Sequence, residues 1–149
     1  MKRLVVWLAA AFVPAAIGAP FTGPAYYARL RKPRWAPPAG IFGPVWTILY
    51  VLIGIAAWLV SQRGDDGSRR ALGLWGAQLA LNAAWTPLFF GLRAPGVALA
   101  EMVALLGAVA ATTVAFLRQR TAAGVLLLPY LAWVSFAAVL NFEIWRRNR

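Results

Sequence analysis

The chain has 149 residues, of which 62% are hydrophobic and only 13% charged, and its formal net charge is +11. Soluble domains usually carry about a quarter of charged residues, so this composition excludes an ordinary water-soluble fold. The sequence contains neither Cys nor His, which excludes cysteine or histidine zinc sites, thiol nucleophiles and His-ligated haem. We therefore expect an integral membrane protein without a metal site.

The positive charge occurs in short clusters between apolar blocks rather than along one continuous surface. This placement is typical of contacts with lipid headgroups, and it argues against nucleic acid as a partner. The acidic residues are Asp65, Asp66, Glu101 and Glu143. Only Asp65 and Asp66 are close in sequence, and they lie in a polar loop, so no pair of carboxyl groups suited to hydrolysis is predicted. We assign no catalytic residue.

Five apolar segments are long enough, or nearly so, to cross a hydrocarbon layer of about 30 Å as α-helices. Their lengths and lack of strict alternation exclude the strands of a lipid-facing barrel. The sequence predicts one domain over residues 1–149, an all-α, multi-pass membrane protein built as a five-helix bundle. The segments cover residues 4–19, 41–60, 72–90, 97–117 and 122–145.

Two parts of the N-terminal region leave alternatives open. The first segment is short and follows Lys2-Arg3, as a removable signal peptide would, although Pro20 directly follows Ala19, the best cleavage candidate. The first loop contains Trp35 and Pro37 in a proline-rich run. Prolines exclude helix, so the loop could form a stiff cap over the bundle. An interfacial anchor of aromatic and basic residues is the alternative.

The third segment has two contrasting faces at about 100° per residue. One face carries Trp75, Gln78, Asn82, Trp85 and Phe89. Asn82 lies near mid-membrane, where an amide needs a partner, either a neighbouring helix or a ligand. The nearly opposite face carries small residues that allow close backbone contact, either in a homodimer or within the chain. These small residues are Gly73, Ala77, Ala80 and Ala84.

Similar inward faces are predicted for the second and fifth segments. Trp46, Tyr50 and Gly54 recur on one face of the second segment. If these faces converge on that of the third segment, three tryptophans would wall a pocket for a planar, mostly apolar ligand, with Asn82 and indole N–H groups as polar handles. The alternative is that the aromatic residues only form the core. The face of the fifth segment carries Tyr130, Trp133, Ala137 and Asn141.

Glu101 lies inside the start of the fourth segment. A carboxyl group within a membrane helix is a functional candidate by default. Because the interface is only a few residues away, its side chain could instead extend to the surface and pair with Arg93.

Several runs resemble, in order and spacing, the signature of the TspO/MBR family, which includes tryptophan-rich sensory proteins and translocator proteins. The resemblance implies five transmembrane helices, a retained first helix, a homodimer and binding of porphyrins or haem-related tetrapyrroles, with no cofactor required. The runs are KPRWAPP at 32–38, FGPVWTILY at 42–50, AQLALNAAWTPLFFG at 77–91, LPYLAW at 128–133 and FAAVLN at 136–141.

The same resemblance places the family's pocket on the inward faces and its first-loop lid on Trp35 and Pro37. Phe142 stands where the sterol motif of animal members has a Tyr, so a sterol is a weaker expectation than a tetrapyrrole. The ligand-binding residues are predicted to be Trp35, Pro37, Trp46, Tyr50, Asn82, Trp85, Trp133 and Ala137.

The leading hypothesis is a tetrapyrrole-binding sensor, regulator or transporter. An enzyme that degrades porphyrin by light- or oxygen-dependent chemistry at the pocket tryptophans is one alternative. A membrane scaffold without a small ligand is the other.

Overall fold

The computed structural model describes residues 2–149, in which α-helices are joined by short connections. A 3-10 turn, Ala39–Ile41, leads into the fourth helix, and a π-helical turn, Pro87–Gly91, continues the fifth. The helices are α1 (Lys2–Ala11), α2 (Val13–Gly18), α3 (Pro24–Arg29), α4 (Phe42–Ser61), α5 (Asp66–Thr86), α6 (Pro95–Gln119) and α7 (Thr121–Asn148).

Three helical stretches are long and apolar enough to cross a membrane: Ala39–Ser61, Pro95–Gln119 and Thr121–Asn148. A shorter apolar stretch covers Arg3–Gly18. The all-α class agrees with the sequence prediction, whereas by length and hydropathy three of the five predicted spans qualify. The third predicted segment falls short because α5 includes a polar first turn and two buried amides, Gln78 and Asn82.

The first predicted segment forms two helices that meet at Phe12, just before Pro14 in the first turn of α2. Both pack into the bundle. A Cβ atom built on Gly54 of α4 would stand 3.0 Å from the Leu8 Cα of α1. Gly18 at the end of α2 similarly approaches the side chain of Thr86. Gly54, predicted to share the pocket face of its helix, is therefore a point of close helix contact.

The start of α5 lies six residues before the predicted boundary because a cap, rather than apolar residues, defines it. The Asp65 carboxylate accepts a 2.7 Å hydrogen bond from the backbone N–H of Ser68, which is a common way to satisfy a free donor at a helix start. This bond lowers the pKa of Asp65 below its usual value. The apolar pattern begins later, so it could not indicate the capped turn.

The long helices close into a ring. α6 packs against both α5 and α7, α7 packs against α4, and α4 packs against α1. Contacts between α2 and α5 close the ring on its remaining side. The inward faces of α4, α5 and α7 consequently surround a shared interior.

The close contact at Gly54 generates a stability prediction. Gly54→Ala adds a methyl group that must push α1 away from α4, and we expect a loss of about 1–3 kcal/mol in the free energy of unfolding. The matched control is Gly107→Ala in α6, where an added Cβ meets nothing within 4 Å and helix propensity improves. Thermal unfolding in detergent should show a lower midpoint only for Gly54→Ala. Equal midpoints would contradict the packing described here.

Candidate ligand-binding site

Two neighbouring cavities lie in the interior of the ring, with volumes of about 140 Å³ and 290 Å³. The smaller cavity lies among α4, α5, α6 and α7, and the larger one extends to α2. Six side chains line both cavities. These shared side chains are Thr22, Phe42, Trp46, Trp85, Thr86 and Met102.

The smaller cavity brings together the three tryptophans of the predicted pocket. Trp46 from α4, Trp85 from α5 and Trp133 from α7 all line it, and Ala137 lies one turn after Trp133. The small side chain of Ala137 leaves room beside the indole ring. The cavity wall is almost entirely apolar, as expected of a site for a flat, hydrophobic molecule.

Further aromatic rings fix the orientation of these walls. Trp46 stacks on Tyr50, with ring centroids 5.4 Å apart and an interplanar angle of 28°. Trp85 stacks on Phe89 at 4.7 Å and 20°. Phe42 meets Trp133 at 6.0 Å with an angle of 67°. Such pairs contribute beyond the area they bury, so the indole faces are held in place before any ligand binds.

Asn82 is the centre of a hydrogen-bond network rather than a free polar handle. Its Oδ1 accepts a 3.0 Å bond from the Tyr50 hydroxyl, and its Nδ2 donates a 2.8 Å bond to the Tyr130 hydroxyl. Tyr130 in turn donates to Gln78 Oε1 at 2.6 Å. An amide buried among apolar residues is costly unless paired, so Asn82, although it lines the larger cavity, primarily ties α4, α5 and α7 together.

The indole N–H of Trp85 is likewise already bonded. It donates to Asn141 Oδ1 at 2.9 Å, and Asn141 Nδ2 donates to the backbone oxygen of Pro95 at 2.9 Å. Trp85 therefore offers its ring to the cavity and not its donor. The sequence placed Trp85 and Asn141 on inward faces, but the bond between them depends on how α5 and α7 are set side by side.

Trp133 differs from these residues. Its Nε1 is buried and has no hydrogen-bond partner among the residues that the structure describes. A buried donor without a partner costs free energy, and a ligand that brings an acceptor atom to this point would recover it. The Trp133 ring lines the smaller cavity, and its N–H is a buried indole donor that the structure leaves without a partner among the described residues.

The first loop packs on the bundle, but its two predicted ligand-binding residues, Trp35 and Pro37, line neither cavity. Trp35 is 49% exposed, and its ring meets Phe136 of α7 at 5.6 Å. Pro37 is held by its backbone oxygen, which accepts a 2.7 Å bond from the Tyr27 hydroxyl. Tyr27, which the sequence did not single out, does line the smaller cavity. The loop thus covers this end of the bundle, with Tyr27 as its contribution to the wall.

Other wall residues were missed because the sequence carries no signal for them. Met102 on α6 lines both cavities, but α6 is apolar all round and its periodicity marks no inward face. Leu140 and Ile144 on α7 extend the wall beyond Asn141. Thr22 and Thr86 reach it from the end of α2 and the end of α5.

Of the two alternatives for Glu101, the pairing with Arg93 is not what the structure contains. Both carboxyl oxygens of Glu101 are buried and have no hydrogen-bond partner within residues 2–149. The Arg93 guanidinium instead lies over the ring of Tyr26, 5.4 Å from its centroid. Arg93 has a φ of 50° at the turn into α6, a conformation that directs the chain away from the helix axis.

The small residues of α5 face outward. Gly73, Ala77 and Ala80 are exposed, and Ala84 is half-buried. A Cβ added to Gly73 would meet nothing within 4 Å. The structure does not show this face packed against a neighbouring helix of the same chain. A flat surface of small residues is left on the outside of the bundle.

Comparison with known proteins gives a consistent assignment. The family model described as TspO/MBR matches residues 4–146. The Tryptophan-rich sensory protein of Cereibacter sphaeroides is 44% identical over 144 residues, which cover 97% of this chain and 90% of that protein. The human Translocator protein is 46% identical over 126 residues, covering 83% and 75% of the two chains. The Protein CrtK of Rhodobacter capsulatus is 39% identical over 150 residues, covering 99% and 94%.

The match spans almost the whole chain, including the first helical segment. This agrees with the resemblance drawn from the tryptophan- and proline-containing runs, and with the apolar helices that suit a membrane. The chain is a membrane protein and belongs to the TspO/MBR family.

Proposed function

We propose that this protein binds a planar, largely apolar molecule of the porphyrin or haem type inside its helical bundle, as a membrane sensor, regulator or transporter. The observation that carries the proposal is a cavity walled by indole rings, one of which belongs to Trp133, whose buried N–H has no partner among the described residues. Flat walls favour a flat ligand, and one buried donor favours a ligand with an acceptor atom near its ring system.

Tetrapyrroles fit these requirements better than a purely aliphatic molecule does. A porphyrin ring stacks on indole faces such as those of Trp46 and Trp85, and its substituents include oxygen acceptors for the Trp133 N–H. Because the chain has no His and no Cys, a bound haem would be held by stacking and burial of area rather than by an imidazole or thiolate on its iron. Free porphyrin and haem should therefore bind with similar affinity.

The positive charge near the smaller cavity supports an anionic ligand. The Lys32 ammonium lies over the ring of Tyr27, 4.6 Å from its centroid, and Tyr27 lines the cavity. Arg29, Arg31 and Arg34 are exposed on the same loop. The carboxylate arms of a porphyrin that enters between α4 and α7 would meet these cations.

Each cavity is smaller than most ligand sites, which typically occupy roughly 300–1,000 Å³. The side chains between them are therefore expected to move on binding. Met102 lines both cavities and has a flexible side chain, and its rotation would join the two spaces into one. The ligand site in this proposal is the combined cavity.

We also propose that the family's five-span arrangement applies to this chain. The α1–α2 unit and α5 complete the ring with the three apolar spans. The first unit, Lys2–Gly18, is about 25 Å long at 1.5 Å per residue, close to the thickness of the hydrocarbon layer. The amides of α5 are bonded inside the bundle, so they need not meet lipid.

Removing the free donor tests the ligand site. Trp133→Phe keeps an aromatic ring but loses the N–H, and we expect the affinity for protoporphyrin to fall about threefold to tenfold, since a hydrogen bond is worth roughly 0.5–1.5 kcal/mol. The measurement is saturable quenching of tryptophan fluorescence in reconstituted protein. The matched control is Trp75→Phe. The N–H that this change removes donates a hydrogen bond to the Ile53 backbone oxygen, and the Trp75 ring lines neither cavity.

Unchanged protoporphyrin affinity in Trp133→Phe would remove the assigned donor, and no saturable binding by the wild type at micromolar concentration would favour the scaffold. Product analysis after incubation in light and in dark separates binding from degradation. A ligand recovered intact under both conditions indicates binding alone, whereas light-dependent products indicate the enzyme.

We further propose that two copies of the chain associate through the outward small-residue face of α5. Gly73, Ala77 and Ala80 would let the backbones of two α5 helices approach closely, and such contacts contribute dispersion that lipid tails cannot match.

Enlarging this face tests the homodimer. Gly73→Leu together with Ala77→Leu should shift the protein from dimer to monomer, because the added side chains hold the backbones apart. Molecular mass in detergent by light scattering measures the change. Val103→Leu with Val114→Leu, at exposed positions of α6, serves as the control and should remain dimeric. A wild-type monomer, or a mass unaffected by the α5 changes, would contradict the proposal.

A further inference from the structure

Glu101 is a carboxyl group in the membrane part of α6 that the ligand site does not use. It lies six residues after Pro95, about 9 Å along the helix axis from the helix start. Its carbon chain is partly accessible, yet both oxygens are buried and lack a hydrogen-bond partner in the part of the chain that the structure describes. The carboxyl group therefore points into the protein and not toward the interface.

The position of Glu101 on its helix places it at the contact between α6 and α5. Gln119 follows Glu101 by eighteen residues, which is five full turns of an α-helix, so the two side chains leave α6 in the same direction. The Gln119 side chain packs directly on Gly67 of α5. Glu101 accordingly faces the α5 side of α6, near the opposite end of the same contact.

Among the side chains that the structure describes, no cation forms an ion pair with this carboxyl group. The sequence has no charged residue between Arg70 and Arg93, which covers most of α5 and its π-helical turn. Arg93 lies over Tyr26. The titratable groups on the packed faces of α4 and α7 are the phenols of Tyr50 and Tyr130, which carry no charge at neutral pH.

The acidic residue of α7, Glu143, has a different environment. Glu143 accepts bonds from Arg146 at 2.7 Å and from Arg147 at 3.1 Å near the end of α7. Its negative charge is compensated. An ionised Glu101 would have no such partner, and an uncompensated charge among apolar side chains costs several kcal/mol, so the carboxyl group gains a proton instead.

We propose that Glu101 is a proton-binding site within the membrane, occupied at neutral pH. The Tyr130 hydroxyl links Gln78 to Asn82 where α5 meets α7. Release of the proton places an uncompensated negative charge inside the same bundle, on the α5 side of α6. Protonation of Glu101 thereby stabilises the arrangement of helices around the cavities.

Reaction with a hydrophobic carbodiimide tests the proton directly and requires no ligand of the cavity. The carboxylic acid adds across one C=N bond of the carbodiimide. A carboxyl oxygen bonds to the central carbon of the reagent, and the acid proton goes to its nitrogen. Transfer of the acyl group to nitrogen then gives a stable N-acylurea. Dicyclohexylcarbodiimide should therefore add to protonated Glu101 and not to the ionised carboxylates of Glu143, Asp65 and Asp66.

Intact-mass and peptide mass spectrometry of the full chain in lipid vesicles measure the product. We expect one adduct per chain at Glu101, with a yield that falls as the pH rises from neutral to alkaline. Glu101→Gln should abolish the adduct and Glu143→Gln should leave it unchanged. Absence of an adduct at Glu101, labelling of Glu143 to the same extent, or a yield independent of pH would overturn the proposal.

The pH dependence of unfolding provides a second measurement. A proton held in the folded state and released on unfolding makes stability fall as the pH rises. The thermal unfolding midpoint of the wild type should therefore decrease from neutral to alkaline pH. Glu101→Gln, which has no proton to release, should show a midpoint that does not change across this range. Parallel pH curves for the two proteins would contradict the assignment.

Discussion

Polar groups buried in an apolar helical bundle must find their partners inside it, and the hydrogen-bond network around Asn82 is how this protein meets that requirement. Asn82 is bonded to the hydroxyls of Tyr50 and Tyr130, and Tyr130 is bonded to Gln78. The four side chains come from three helices, so one set of bonds fixes the spacing of α4, α5 and α7. In surroundings without water, each of these groups would be costly to leave unpaired.

The same requirement decides which groups remain available to a ligand. The indole N–H of Trp75 donates a hydrogen bond to the Ile53 backbone oxygen, and that of Trp85 donates one to Asn141. The buried N–H of Trp133 and the buried carboxyl group of Glu101 have no partner in the described chain. They lie on different helices, and Glu101 does not line either cavity. The proposed function uses the first group, and the proposed proton site is the second.

The sequence predicted the inward faces well because helical periodicity depends on local chemistry alone. Trp46, Trp85, Trp133 and Ala137 all reach one cavity. It could not predict which donors are already bonded, since the bond from Trp85 to Asn141 joins residues 56 positions apart. The sequence left open whether Asn82 pairs with a neighbouring helix or with a ligand, and the structure gives it partners on α4 and α7. Helix α6 gave no indication of Met102, because an apolar helix without a polar face has no predictable orientation.

Indole N–H signals in ¹⁵N-tryptophan NMR test the central claim most directly. On titration with protoporphyrin, the account predicts a large downfield shift for the Trp133 N–H, assigned by its loss in Trp133→Phe, because this proton acquires a hydrogen-bond acceptor. The N–H signal of Trp75, which lines neither cavity and is bonded to the Ile53 backbone oxygen, should keep its position. An unchanged Trp133 signal at saturating protoporphyrin would contradict the account, since the free donor would then remain unpaired in the complex.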